Sequence, residues 1–461
     1  MKLEKKQGYH LEPPKGLMND PNGLAWFRDR YYVFFQWNRF KKDHSHKEWG
    51  LFTSKDLLTW EFQGGAIQPG EPYDHSGVHS GSAFVVDGKL YTYYTGSDKS
   101  SGRRKSRQCL AVSEDGSHFQ KKGMFLDTPD GFTEHFRDPK VFRTAEKNFF
   151  MVVGAQKENG KGSIALCRSQ DGIHWQYSHM LAEVEEYEMV ECPDLFRLDG
   201  QDVLLYCLQS RDNVNDQVIS AHAAYRFVDF DAQTGTILPV DLEHGYETLE
   251  AGFDFFAPQT FEAPDGRRIL LAWMSRMSDE QERILAEDEP GIHCLTLPRE
   301  LYAQKGKICQ RPIRELYRLL GEEVLAEQSE KRCCSLQMNT RKYYLLLEAE
   351  HCSAGLCLEL GEAILCWDGG RFSFTRKNWA GEDETRTCTL EDLDRVEIWS
   401  DTSSIEIFLN GGETVMSARI FPQTSAPVLY LTGVPENMAL TVRKIMAENP
   451  DVMGRKQTCV L

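Results

Sequence analysis

Three acidic residues, far apart along the chain, stand in short and similar settings. Asp20 lies in Asn19-Asp20-Pro21-Asn22-Gly23, Asp138 in Arg137-Asp138-Pro139-Lys140, and Glu191 in Glu191-Cys192-Pro193-Asp194. Taken singly, each has an ordinary explanation. Asn-Asp-Pro-Asn-Gly makes a good β-turn, Arg137-Asp138 a local ion pair, and Glu191 a solvated acid. Brought around one small cavity, three carboxylates repel one another and shift each other's protonation, an arrangement that is costly unless used. Glycoside hydrolysis uses such a set. One carboxylate is ionised, to attack or stabilise an oxocarbenium-like centre. Another stays protonated near neutrality to assist the leaving group, which requires a raised pKa. That chemistry needs no metal, no cofactor and no Ser-His-Asp arrangement.

What could bring these residues together is a repeat. The aromatic and β-branched run Tyr31-Tyr32-Val33-Phe34-Phe35 recurs at Leu90-Tyr91-Thr92-Tyr93-Tyr94, Phe149-Phe150-Met151-Val152-Val153, Val203-Leu204-Leu205-Tyr206 and Ile269-Leu270-Leu271-Ala272-Trp273. The period is roughly 60 residues. Short strands precede these runs, with turns such as Asp87-Gly88, Asp199-Gly200 and Asp265-Gly266 between apolar segments, a strong hairpin signal. In three copies a turn of the form S-x-D-(L/G)-x-x-(W/F) follows: Ser54 to Trp60, Ser113 to Phe119 and Ser169 to Trp175. Five units of antiparallel strands predict a five-bladed β-propeller rather than a large β-sandwich, which gives no reason for similar turns in register. The innermost strand of each blade lines a central channel, so equivalent positions converge. Those positions carry Asp20, His79-Ser80, Arg137-Asp138, Glu191 and Phe256-Ala257, with Pro21, Pro139, Pro193 and Pro258 read as the first residues of strands.

Beyond the repeat, Gln310 to Gly321 reads as a short helix, with Pro312 in its first turn and Ile313, Leu316 and Leu320 on one face. Period-2 strands follow, among them Val396 and Ile398, then Ile405, Ile407 and Leu409. About ten such strands predict a C-terminal β-sandwich. The expected organisation is a propeller over 1–308, a helical linker over 309–328, a sandwich over 329–454 and a polar tail over 455–461.

Composition narrows the partners. The 461 residues carry 53 Lys and Arg against 70 Asp and Glu, a formal charge of −17. Such a chain repels phosphate backbones and anionic lipid, so neither nucleic acid nor a membrane is expected as a partner. No apolar run approaches the ~18 residues of a membrane span. The N-terminus shows no secretory pattern, and the 13 scattered cysteines lack metal-ligand spacing. A cytoplasmic protein with free, buried thiols is expected, as a monomer or homodimer acting on a small-molecule sugar.

The motif set resembles glycoside hydrolase family 32, the family of invertases, fructanases and sucrose-6-phosphate hydrolases. The resemblance runs from His10–Gly23 through Phe35-Gln36-Trp37-Asn38, Trp49-Gly50, Ser80-Gly81-Ser82, Arg137-Asp138-Pro139, Glu191-Cys192-Pro193, Asp254–Gln259 and Leu295–Leu301 to Ser403–Phe408 and Ser417–Pro422. It implies a propeller followed by a sandwich, and a retaining β-fructofuranosidase. Asp20 would be the nucleophile and Glu191 the general acid and then base. Asp138 would hydrogen-bond fructose hydroxyls and stabilise positive charge. Asn19, Gln36, Trp49, Ser80 and Arg137 would complete the fructose pocket. Trp273 reads equally as a pocket wall or a core tryptophan.

The chain departs from the family pattern at Leu17, His44 and His79, where aromatic residues are usual, so imidazoles partly replace the aromatic walls. Sucrose, sucrose 6-phosphate and short fructo-oligosaccharides all suit an intracellular enzyme, with a slight preference for the phosphorylated sugar. A phosphate would need local cations. Arg39, Lys41, Lys42 and Lys47 offer them in one loop, and Arg103, Arg104, Lys105 and Arg107 in another, with His44 and His46 nearby; either loop also reads as merely solvated. The competing readings are an inverting propeller glycosidase and a non-catalytic carbohydrate-binding propeller.

Overall fold

The computed structural model describes residues 5–446 apart from 145–147, 211–220, 276–278, 287–289, 325–326, 330–331, 353, 379 and 436–437. The tail expected over 455–461 lies outside them. The chain divides into two compact units. One comprises 13–248 and 256–273, the other 5–12, 249–255 and 274–446.

In the first unit, antiparallel sheets follow one another along the chain as blades. Blade one holds Gly16–Phe27, Arg30–Asn38, Glu48–Ser54 and Trp60–Ile67, and blade two Gly77–Val86, Lys89–Asp98, Lys105–Ser113 and Gln120–Asp127. Blade three holds Phe132–Arg143, Phe149–Lys157, Gly162–Ser169 and Gln176–Glu183. Blade four begins Met189–Leu198, Gln201–Gln209 and Ala221–Asp231, and blade five opens with the hairpin of Phe256–Glu262 and Arg268–Met274. The first strand of each blade touches the first strand of the next, and the fifth touches the first, closing a ring. The fold is the expected five-bladed propeller followed by a β-sandwich.

Local sequence explains the blades. Asp87-Gly88 and Asp199-Gly200 take positive φ at both central residues (48° and 72°, 47° and 88°), the turn whose twist suits a two-residue hairpin. The S-x-D motif builds the same turn three times. Ser54, Ser113 and Ser169 each donate a 3.1 Å bond to Asp56, Asp115 and Asp171. Each of these aspartates accepts two backbone N–H bonds from the residues that follow. Leu57, Gly116 and Gly172 sit at φ of 60°, 80° and 75°, which accounts for the L/G position. The closing aromatic then packs against the preceding blade: Phe119 edge-on to Phe34, and Trp175 edge-on to Tyr93. The core lies in apolar wedges between neighbouring sheets, such as Tyr93, Phe136, Met151 and Trp175 between blades two and three.

The second unit contains the hairpin of Arg299–Gln304 and Lys307–Pro312 and two further sheets, one of six strands and one of seven. Leu345, Leu347, Val396, Ile398, Ile405, Ile407 and Leu409 from the first sheet pack with Leu356, Leu358, Leu365, Phe372, Phe374, Leu429 and Leu431 from the second, as period-2 patterning requires. Within the same unit a fully buried charge network ties the N-terminal segment down. His10 bonds Asp401 at 2.7 Å and Glu406 at 2.9 Å, and Arg299 bonds Glu406 at 2.9 Å and Glu250 at 3.0 Å. These bonds hold residues 5–12 and Arg299 to the strand Ser404–Leu409, which carries Glu406.

Three expectations are corrected. Among the described residues, helix in the linker is confined to a six-residue 3-10 helix, Arg314–Leu319. Pro312 instead ends a strand and Gly321 lies in the strand Leu320–Glu323, because pairing with Arg299–Gln304, reinforced by a 2.6 Å Arg311–Glu300 bond, keeps the preceding segment extended. Cys357 and Cys366, directly opposite across two adjacent strands with Cα atoms 4.2 Å apart, form a disulfide, so not every thiol is free. Finally, the four prolines do not begin strands. Pro139, Pro193 and Pro258 lie inside β-bulges and Pro21 directly follows one, with consequences for the site.

Candidate active site

Every inner strand is broken at the same level. In blade one Met18 faces Trp37 and Pro21 faces Phe35, so Asn19 and Asp20 share the place opposite Gln36. Ser80 is the extra residue in blade two. Asp138-Pro139, Cys192-Pro193 and Ala257-Pro258 occupy the bulges of blades three, four and five. A bulge tolerates proline, since its unpaired residue needs no ladder N–H, and it re-aims the side chain beside it. Asp138, Cys192 and Ala257 all take positive φ (65°, 46° and 49°), a backbone conformation that non-glycine residues adopt at a cost of roughly 1–3 kcal/mol each.

Asp20 is clamped from both sides. Asn19 Nδ2 donates to its Oδ1 at 3.0 Å, and Gln36 Nε2 donates to its Oδ2 at 3.2 Å. Ser80 Oγ also donates to Oδ2, at 2.5 Å. Lys47, buried beneath, donates from Nζ to Asn19 Oδ1 at 2.5 Å and bonds His44 Nδ1 at 2.8 Å. With donors engaged on both of its oxygens, the Asp20 carboxylate holds one orientation.

Arg137 lies between the other two acids. Its Nη2 and Nε donate to Glu191 Oε1 at 2.6 and 3.2 Å, and its Nε stands 3.9 Å from Asp138 Oδ2. His135 Nδ1 meets Arg137 Nη1 at 2.8 Å. Asp138 is only 3% exposed. Its Oδ2 accepts the Cys192 N–H at 3.2 Å, and its own N–H donates to Thr95 Oγ1 at 3.1 Å. Burial pushes the Asp138 carboxyl up to about 7; Arg137 pulls it down, and Glu191 and Asp20 raise it further. Asp20 and Glu191 are thus both close enough to act on Asp138.

The remaining expected residues separate into two groups. Asn19, Gln36, Ser80 and Arg137 join the carboxylates directly. His44, exposed on its loop, sets its ring edge-on to Trp273 at 6.1 Å between centroids, so these two form one feature. His79 is half-buried, and burial, then Arg104 and Lys47, push its imidazole well below the ordinary value, leaving it neutral. Trp49 is 0% exposed: it packs on Phe34 and Tyr94 and donates from Nε1 to the His79 carbonyl at 2.9 Å, so it supports the site from the core and lines no pocket. Leu17 is likewise fully buried.

Sequence reasoning missed His135 and Thr95. His135 was findable, since residues two apart on a strand share a face and Arg137 was already singled out. Thr95, on the neighbouring strand, carries no such signal.

Residues 10–312 match the Glycosyl hydrolases family 32 N-terminal domain, and residues 369–441 match the Glycosyl hydrolases family 32 C terminal domain. A sucrose-6-phosphate hydrolase of Bacillus subtilis is 37% identical over 434 residues, covering 90% of this chain and 89% of the relative. A raffinose invertase of Escherichia coli is 34% identical over 465 residues, covering 94% and 93%. Among solved structures, a sucrose-6-phosphate hydrolase from Lactobacillus gasseri superposes with a TM-score of 0.84 at 26% identity, over 96% of this chain and 93% of that one. A Bombyx mori β-fructofuranosidase, solved in complex with sucrose, gives 0.83 at 25% identity, over 96% and 94%. With both domains matched in order and these relatives alike over nearly their whole length, the chain belongs to glycosyl hydrolases family 32.

Proposed function

We propose that this protein is a retaining β-fructofuranosidase that hydrolyses the fructosyl bond of sucrose 6-phosphate. One observation carries the reading: Asp20 and Asp138 stand in, and Glu191 directly before, the bulges of three inner strands, and Asp20 and Glu191 both act electrostatically on Asp138. Asp20 attacks the anomeric carbon of the fructosyl unit. Its two oxygens are aimed by Asn19, Gln36 and Ser80, so little reorganisation precedes attack. Glu191 donates a proton to the glycosidic oxygen, and glucose 6-phosphate leaves. It then takes a proton from the water that cleaves the fructosyl–enzyme ester. Asp138 binds fructose hydroxyls and faces the positive charge of the oxocarbenium-like transition state, while Arg137 orients both neighbouring acids. The Bacillus subtilis and Lactobacillus gasseri relatives, both sucrose-6-phosphate hydrolases, support the phosphorylated substrate.

The test compares sucrose 6-phosphate, sucrose and kestose with purified protein, and follows the first-formed fructose by proton NMR. Retention of the β configuration and kcat/KM at least about tenfold higher for sucrose 6-phosphate (~1.4 kcal/mol) are expected. Inverted product would overturn the mechanism, and a preference for kestose would move the substrate to short fructo-oligosaccharides.

A further inference from the structure

Of the eight cations that the sequence offers for a phosphate, several are committed elsewhere. Arg39 is ion-paired with Glu48 and lies over Trp37. Arg107 pairs with Asp127 at 2.9 Å and Asp98 at 3.5 Å. Lys47 holds Asn19 and His44. Arg104 differs. It immediately precedes the blade-two strand Lys105–Ser113. Its Nε and Nη2 are buried and meet no hydrogen-bond partner among the described residues. Buried guanidinium donors without acceptors are costly, and they are available to an anionic group. Arg104 also lies within electrostatic reach of Arg137, Asp138, Glu134 and Glu191. Burial lowers it only to about 10, so it is charged at neutral pH. His79 feels Arg104, Lys47, Arg137 and Lys99 together. The leaving group must lie on the Glu191 side of the site, because Glu191 protonates the bond being cleaved. Arg104 is within electrostatic reach of Glu191.

We propose that Arg104 receives the phosphate of the leaving hexose and so sets the preference for a phosphorylated over an unphosphorylated disaccharide. The planar guanidinium offers the unpaired Nε and Nη2 donors as a fork for two phosphate oxygens. This inference rests on the sucrose 6-phosphate reading above.

The experiment measures kcat/KM for sucrose 6-phosphate and for sucrose in wild type, Arg104→Ala, Arg104→Gln and Arg104→Lys, with thermal melting to check folding. Inhibition by glucose 6-phosphate against glucose is measured alongside. The expected result is a fall of about 30-fold in the sucrose 6-phosphate to sucrose ratio in the Ala and Gln variants, in the range of a lost charged hydrogen-bond pair, with partial recovery in Lys. Inhibition by glucose 6-phosphate should weaken by a similar factor. A folded Ala or Gln variant that keeps the wild-type ratio overturns the role of Arg104 and leaves the substrate reading intact. A wild-type ratio near one overturns the substrate reading itself, before any variant is made.

Discussion

Replacing Asp138 by Asn removes a buried carboxyl that the fold holds near pKa 7 against an ordinary 3.8. Above pH 4 the unfolded chain ionises this group while the native protein keeps it protonated. The native state then binds more protons than the unfolded state, so stability from this site falls as pH rises and is lowest above about 7. Three units at ~1.4 kcal/mol each set a ceiling of roughly 4 kcal/mol. Asn escapes that penalty, and its side-chain oxygen still accepts the Cys192 N–H. The Asp138→Asn protein should therefore match wild type near pH 4 and exceed it by roughly 2–4 kcal/mol at pH 8, while losing most of its hydrolytic activity. Parallel denaturation of both proteins from pH 4 to 8 measures this, because titrating groups remote from the site cancel in the difference. A stability difference that stays constant across that range, or grows in favour of wild type, would refute the claim that burial governs Asp138.

Asp20→Asn and Glu191→Gln should each abolish most hydrolysis while melting close to wild type, since the Asn19, Gln36, Ser80 and Arg137 side chains around them stay in place; near-normal turnover by either would overturn the role assigned to it. His10 carries the opposite perturbation to a simply buried imidazole: burial alone would lower it, but bonds to Asp401 and Glu406 raise it from 6.5 to about 9. Its contribution is complete below pH 6.5 and is lost as pH climbs through about 9. His10→Ala should thus cost roughly 3–5 kcal/mol at pH 6, narrowing by pH 10 in melting experiments. Tyr93→Phe removes the 2.7 Å bond from Oη to the Gly172 carbonyl and should cost about 1 kcal/mol in denaturant unfolding without changing kcat.

Much of this was legible because it is local. Asp-Gly pairs mark hairpins, and the S-x-D turn closes within a few residues, so blade count followed from spacing alone. The acids were legible because the repeat placed them at equivalent positions. The bulges were not, since two residues facing one across a ladder is a property of the pair of strands, and Asn-Asp-Pro reads the same at a strand's beginning as within it. Desolvation is also a property of the assembled site, so the sequence did not reveal that burial lifts Asp138. Trp49 matches the family motif yet lies in the core, and only packing separates those two roles. The His10–Asp401–Glu406–Arg299 network joins residues at opposite ends of the chain and left no pattern to read.

The mechanism requires a single sugar ring to meet Asp20, Asp138 and Glu191 at once. A crystal of the Glu191→Gln protein soaked with sucrose 6-phosphate tests this most directly. The fructosyl unit should lie with its anomeric carbon facing Asp20 and its hydroxyls on Asp138, and with the substituted amide beside the glycosidic oxygen. A fructosyl ring bound beyond reach of any one of the three would contradict it.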